Sequence, residues 1–426
     1  MPTMRSKISL PFVVLGFCGV LWGSPASAQT PDDEDNIVRK PTLIFPQLFP
    51  NPTGTNGYED LVRACDALNE SAVFKRIEAK ELEAKEMEPT EAGSDLREIR
   101  TIFEDPPVQK ALLLLKSALQ KPVLSPNKPG ELSVNTVFPQ YHFFRKLARL
   151  LSRKISVDAA DGRGYEVIES TEMILQIGNA TGQDTMMGGL IAIAIDAIAL
   201  DHTSQFVAQL SHKDCNRLYA SLASRLNSPS DAARLYTTEC DLLARHMIEV
   251  RDDRVAASTL DKAEIERLYQ TSLAHIETAY RIAIENVSLP PSKRKDYAFP
   301  EDADPEIVAG GSLYLQTSRQ VLEKYDQNQA QLRLLALHVA IRKFRWEHDR
   351  LPATLKELKH PELLTDPFTG KPLLYSLLPE NNTYDLHAAG AIIYNGAGKP
   401  TKRRSSVYVP PLPLDDFGFP VNRETP

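Results

Sequence analysis

Asp196, Asp201 and His202 fall within seven positions of an otherwise apolar run, "GGLIAIAIDAIALDHTSQF". Carboxylates beside an imidazole are the ordinary equipment of general acid–base hydrolysis. A carboxylate placed among aliphatic side chains is also the kind whose proton affinity rises toward neutrality. Two readings of Asp196 stay open. It lines a pocket with Asp201 and His202, or it is a helix-face carboxylate with one buried partner.

No other constellation in the sequence approaches a catalytic pattern. The nine histidines include no HExxH, and no two lie three or four apart. There is no Gly-x-Ser-x-Gly elbow, no Walker loop and no GxGxxG fingerprint. "YNGAGKP" lacks both the spacing and the hydroxyl of a phosphate loop. The cysteines (Cys18, Cys65, Cys215 and Cys240) form no CxxC pair. A structural zinc site is therefore not expected, and no cofactor is. Cys215 and Cys240 are the nearest pair for a bridge, and both sit in helical text as expected for buried thiols. His338 adjoins an apolar stripe and reads as a histidine at the edge of a core. His348, with Asp349, closes a long helix, where an imidazolium suits the dipole.

These residues must be carried by elements, and the chain supplies mostly helices. Its start reads as a secretory signal: Arg5 and Lys7, an apolar stretch Ile8 to Trp22, then Ala26-Ser27-Ala28 before a cleavage point ahead of Gln29. The apolar stretch is shorter than the roughly 20 residues a spanning helix needs, so membrane contact is expected only through this segment if it is retained. Losing residues 1–28 removes two cations and no acids, which takes the formal net charge from −7 to −9. Phosphate backbones favour basic surfaces, so no nucleic-acid partner is expected.

The rest divides on composition. Residues 29–57 are a Pro-rich lead-in whose "LIFPQLF" is apolar enough to dock. Residues 58–290 read as a helical domain, with Leu61, Cys65, Leu68 and Ala72 at helical spacing and Pro106-Pro107 starting a helix over about 106–120. Between 139 and 252, helices alternate with short Gly- or Ser-containing turns such as Gly162, Gly164 and Gly182, the pattern of antiparallel hairpins. The run 191–200, apolar nearly all round, belongs at the centre of a bundle. A further helix covers about 261–287. Residues 291–311 read as a Pro- and charge-rich linker, with "KRKD" as a solvated charge run, and 312–349 as a long helix. On it Leu334, Leu337, Ile341 and Phe344 form a stripe that Leu335, Val339 and Trp346 widen. The fold class expected is mainly α: a helical-hairpin bundle or short solenoid with a small C-terminal α+β module at 312–395, then a Pro-rich tail at 396–426.

That module is the most patterned part of the chain. In "LPATLKEL", Pro352 suits the first turn of a short helix that folds Leu351, Leu355 and Leu358 back on the stripe. Asp366-Pro367 and Thr369-Gly370 make turns, and Asp366 and Asp385 are expected to brace turns. "PLLYSLL" and "TYDLH" read as an antiparallel hairpin around Glu380-Asn381-Asn382, with "AIIY" as a third short strand. The ordered set Leu351, Pro352, Leu355, Leu358, Asp366, Pro367, Phe368, Gly370, Tyr375, Tyr384, Asp385, Leu386 and Gly390 resembles the soluble head of the major pseudopilins of type II secretion systems, over about 330–392. The resemblance implies a helix capped by a small sheet and a place in a bacterial envelope. Filament assembly is not implied. The pseudopilin N-terminal motif is replaced by a conventional signal, and the helix before the match carries Glu323, Lys324, Asp326 and Arg333. The calcium site of that family would fall in "HAAGAIIYNGAGKP", which offers Asn395 and no acids, too few oxygens for the ion.

The layout, a helical domain followed by this module, resembles long exported bacterial proteins of no known activity. The sequence therefore points to an exported structural or binding protein of the envelope, with an envelope protein or peptide as partner. The alternatives are an envelope hydrolase using Asp196, Asp201 and His202, or an accessory subunit of a secretion system.

Overall fold

Helix boundaries fall where local chemistry sets them. The computed structural model describes residues 43–86, 96–227, 232–257, 261–299, 305–378, 383–389, 392–394 and 400–403. A short helix α1 (Phe45–Leu48) leads in, held by the Asp66 carboxylate, which accepts from the amides of Ile44 and Phe45 at 2.9 Å each. The apolar lead-in thus docks, with Ile44 buried. Asn56 caps α2 (Gly57–Glu70) by accepting from the Tyr58 amide, and its side-chain amide also donates to the Leu124 carbonyl at 2.7 Å. Ser71 then breaks the chain. Its hydroxyl accepts from the Phe74 amide and starts α3 (Ala72–Glu86), so Ala72 is exposed rather than continuing the stripe of Leu61, Cys65 and Leu68. After α4 (Leu96–Glu104), Pro106 opens α5 (Pro106–Leu119), as its fixed φ predicts.

The middle of the chain follows the hairpin pattern: α6 (Pro139–Ala160), α7 (Gly164–Thr181), α8 (Met186–Ser204), α9 (His212–Asn227), α10 (Ala232–Ala257) and α11 (Lys262–Val287). Gly162 stands at φ +70° where α6 ends, a left-handed turn that an L side chain resists. Asp261 caps α11, accepting from the Ala263 amide at 3.1 Å. The apolar α8 is the bundle's centre. By length and composition it is the one described helix that could cross a membrane, yet it packs against α6, α7, α10 and α12.

The long helix α12 (Pro305–His348) starts inside the stretch read as a linker, so the irregular connection ends before residue 305 and not at 311. "KRKD" is not simply solvated. Arg294 is half-buried and grips Asp326 on α12 with two hydrogen bonds of 2.7 Å. Leu334, Leu335, Leu337, Val339, Ile341 and Phe344 are buried in the same core as Leu61, Leu147 and Ile174. A smaller core gathers Met186, Tyr236, Tyr280 and Val321 where α8, α10, α11 and α12 meet. The architecture is mainly helical with a small C-terminal sheet, and because α12 returns to α8 and α9 it is a closed bundle. Trp346 does not widen the stripe. It is 39% exposed, with the Arg342 guanidinium 4.9 Å from its ring.

Beyond α12 the chain reverses through Asp349 at φ +53° into a 3-10 turn, Leu355–Leu358. Thr354 and Glu357 form a capping box there, so Pro352 precedes the turn and does not occupy its first position. Strands β1 (Leu374–Leu378) and β2 (Thr383–His387) pair antiparallel with Tyr375 opposite Leu386 and Leu377 opposite Tyr384. Tyr384 and Leu386 are buried toward α12. The third strand joins neither. β3 (Ile392–Tyr394) pairs with β4 (Pro400–Arg403) in a sheet of its own. The signal segment, the Glu380-Asn381-Asn382 turn, Gly390, Asn395 and the tail from 404 lie outside the described residues.

Candidate functional site

The structure separates the three residues grouped from sequence. Asp196 is fully buried on α8, where its Oδ2 accepts from Arg225 of α9 at 2.9 Å and from the Asn328 amide of α12 at 3.0 Å. Its Oδ1 lies against the backbone of α7, and a Cβ on Gly178 would stand 2.5 Å from it. Burial pushes this carboxyl above its ordinary value, while Arg225 and Asn328 oppose the shift. Asp201 comes five residues later, about 140° round the helix, on an exposed position. Partial desolvation raises its carboxyl, with His202 opposing. His202 is half-buried in the last turn of α8. Among the described residues the three do not converge: Asp196 ties three helices together from one side of α8, and the other two belong to its far end.

A different constellation does converge. His338, Ile341, Arg342 and Arg345 of α12 line a cavity with Val207 and Ala208 from the turn after α8, Leu351 from the reversal, and Tyr384 from β2. The free space is about 10 Å³, about what one water needs. His338, Arg342 and Arg345 occur at helical spacing, within about 60° of one another, on the flank of the apolar stripe. They are 4%, 4% and 6% exposed. Buried groups of this kind are expensive unless their hydrogen-bonding capacity is met.

The hairpin completes the wall. The Tyr384 hydroxyl is hydrogen-bonded to Nδ1 of His338, and the two rings sit 5.9 Å apart. Tyr375 packs 5.7 Å from Tyr384 and donates its hydroxyl to the Pro352 carbonyl at 2.7 Å. Burial, helped by Arg342, pushes His338 down to about 4, so its imidazole is neutral at pH 7. Its Nε2 is buried and has no hydrogen-bond partner among the described residues. Burial also raises the Tyr375 hydroxyl.

The residues of the turn motif take structural places around this wall. Asp366 accepts from the Phe368 amide at 2.8 Å, the Thr369 hydroxyl at 3.1 Å and the Ala389 amide at 3.0 Å. Pro367 follows it in the turn, Phe368 is buried, and Gly370 takes φ +67°. Asp385 lies inside β2 opposite Ser376, a strand position and not a turn position among the described residues. The thiols of Cys65, Cys215 and Cys240 are free, so the pair Cys215 and Cys240 is not bridged. No group of three or more His, Cys, Asp or Glu placed to hold a metal occurs among the described residues.

Sequence reading missed Arg342 and Arg345. The available signal was "HVAIRKFR", in which His and two Arg repeat at helical spacing beside a buried stripe. No family model matches the chain, and neither a curated protein nor a solved structure is significantly similar to it.

Proposed function

We propose that this chain is an exported binding protein of the bacterial envelope: a helical scaffold whose pseudopilin-like C-terminal module caps the long helix and presents a recognition surface. One observation carries the reading. The hairpin and α12 jointly enclose a small buried cavity, and two of the residues that line it, Leu351 and Tyr384, belong to the motif on which the family resemblance rests. On the outer face of the same hairpin, opposite His387 and away from buried Tyr384 and Leu386, Leu374 remains exposed, as suits a surface that meets a protein or peptide partner.

The test is made in a Gram-negative host expressing the full chain with a photoreactive residue at Leu374. The expected result is a periplasmic product beginning at Gln29 and a discrete cross-linked adduct from position 374. A product retained in the cytosol, or one that stays monomeric under illumination, overturns the reading.

A further inference from the structure

One face of α6 carries four basic side chains: His142, and then Arg145, Lys146 and Arg149 three, four and seven residues on. That spacing places them within about 100° of one another and along about 10 Å of the helix axis. Among the described residues one carboxylate serves them, Glu78 of α3, which stands 2.9 Å from Lys146 and 3.4 Å from Nη1 of Arg149. No described carboxylate partners Arg145. Its guanidinium is half-buried, its Nε is buried without a hydrogen-bond partner, and burial and the neighbouring Arg149 both lower its proton affinity. Further along the same helix such a cation is answered, since Lys154 has Asp158 at 2.5 Å. His142 is exposed and feels the same excess. Burial and then Lys146 push its imidazole down, Arg145 and Arg149 add to the effect, and Glu78 opposes them.

Arg145, Lys146 and Arg149 set against Glu78 leave a surplus of two positive charges on this face, in a chain whose net charge is −7. Two guanidinium groups one turn apart suit an anion with several acceptor oxygens. A phosphate group carries about −1.5 to −2 at pH 7 and so answers the whole surplus, where one carboxylate would leave half of it. We propose that this face of α6 is a phosphate-binding site, in which Arg145 and Arg149 hold the phosphate oxygens and His142 and Lys146 donate beside them. No residue of the hairpin takes part, so the site stands or falls separately from the recognition surface there. Two sources share this chemistry: a small phosphate or phosphate ester, and the headgroup of an anionic phospholipid.

The experiment titrates inorganic phosphate into the full chain from Gln29 at constant ionic strength and follows the imidazole resonances of His142, assigned with His142→Gln. The expected result is saturable binding, with the titration midpoint of His142 moved upward in the bound state. Arg145→Gln should weaken binding about tenfold or more, since a charge-assisted hydrogen bond is lost. Glu78→Gln should tighten it, because the competing carboxylate is gone. Opposite signs from the two variants separate a lost contact from a damaged fold, and if one variant fails to fold the other decides. Co-sedimentation with phosphatidylglycerol vesicles, set against phosphatidylcholine vesicles, identifies the source. Selective vesicle binding that Arg145→Gln abolishes names the lipid headgroup, and phosphate binding without vesicle binding names a small phosphate ligand. Binding of neither probe, binding that Arg145→Gln leaves unchanged, or phosphate binding that Glu78→Gln fails to tighten overturns the proposal.

Discussion

Gly178 has no side chain because the Asp196 carboxylate stands where one would be. In an exposed helix, replacing Gly by Ala stabilises by about 1 kcal/mol. Here the new Cβ would meet Oδ1 at 2.5 Å, and the carboxylate cannot retreat without leaving Arg225 and Asn328. Gly178→Ala is therefore expected to destabilise by about 1–3 kcal/mol, and urea unfolding decides the sign. His338 makes the second prediction at this scale. Its folded value of about 4 lies below the ordinary value of 6.5, so the native state disfavours protonation. The sign follows by linkage: stability is complete above about pH 6.5 and falls as pH drops toward 4, by roughly 2–3 kcal/mol at about pH 4.5. The carboxyls of buried Asp196 and of half-buried Asp326 and Glu239 are shifted upward and push the other way. The prediction is therefore a difference: His338→Gln should lose less stability than the natural chain between pH 7 and 4.5. Equal losses would remove His338 as the cause.

Elements show which readings a sequence can support. The hairpin strands, the Asp366-Pro367 turn and the helix start at Pro106 were legible because their causes are local: a fixed proline φ, a carboxylate two residues from the amide it accepts, a two-residue alternation. Asp385 was misread because a turn residue and a strand residue look alike when the pairing register is unknown. "AIIY" was assigned to the wrong sheet for the same reason. The cationic ridge on α12 was not legible as a site. Its other walls come from Val207 and from Tyr384, and nothing in "HVAIRKFR" says which distant segment will cover it. The Asp366 turn gives the test at this scale. Its carboxylate ties residues 368 and 369 to Ala389, beyond the hairpin. Asp366→Ala should cost about 3 kcal/mol from three charge-assisted bonds that are not independent. Hydrogen exchange should localise the loss, with Leu386 unprotected before the amides of α6. A uniform loss across both elements would show that the turn is not a local brace.

At the scale of the whole molecule, the composition break near residue 300 suggested two domains, and the packing argues for one. Irregular text marks a boundary only when few contacts cross it. Here α12 leaves the loop and runs through both cores, from Val321 beside Tyr236 to Ile341 among the residues that bury α6 and α7. Arg294 also fastens the loop itself to α12 through Asp326. Separating the C-terminal module would strip apolar cover from α8 and α9, so neither part has a complete core alone. Cooperative unfolding as one unit is the consequence. In the chain from Gln29, Trp346 is the single tryptophan. It sits at the end of α12 next to the module, whereas far-ultraviolet dichroism reports all the helices. The two signals should give coincident urea transitions with one midpoint. A fluorescence midpoint clearly below the dichroism midpoint would mean that the module and the end of α12 open first. The cationic cavity would then belong to a detachable cap and not to the body of the scaffold.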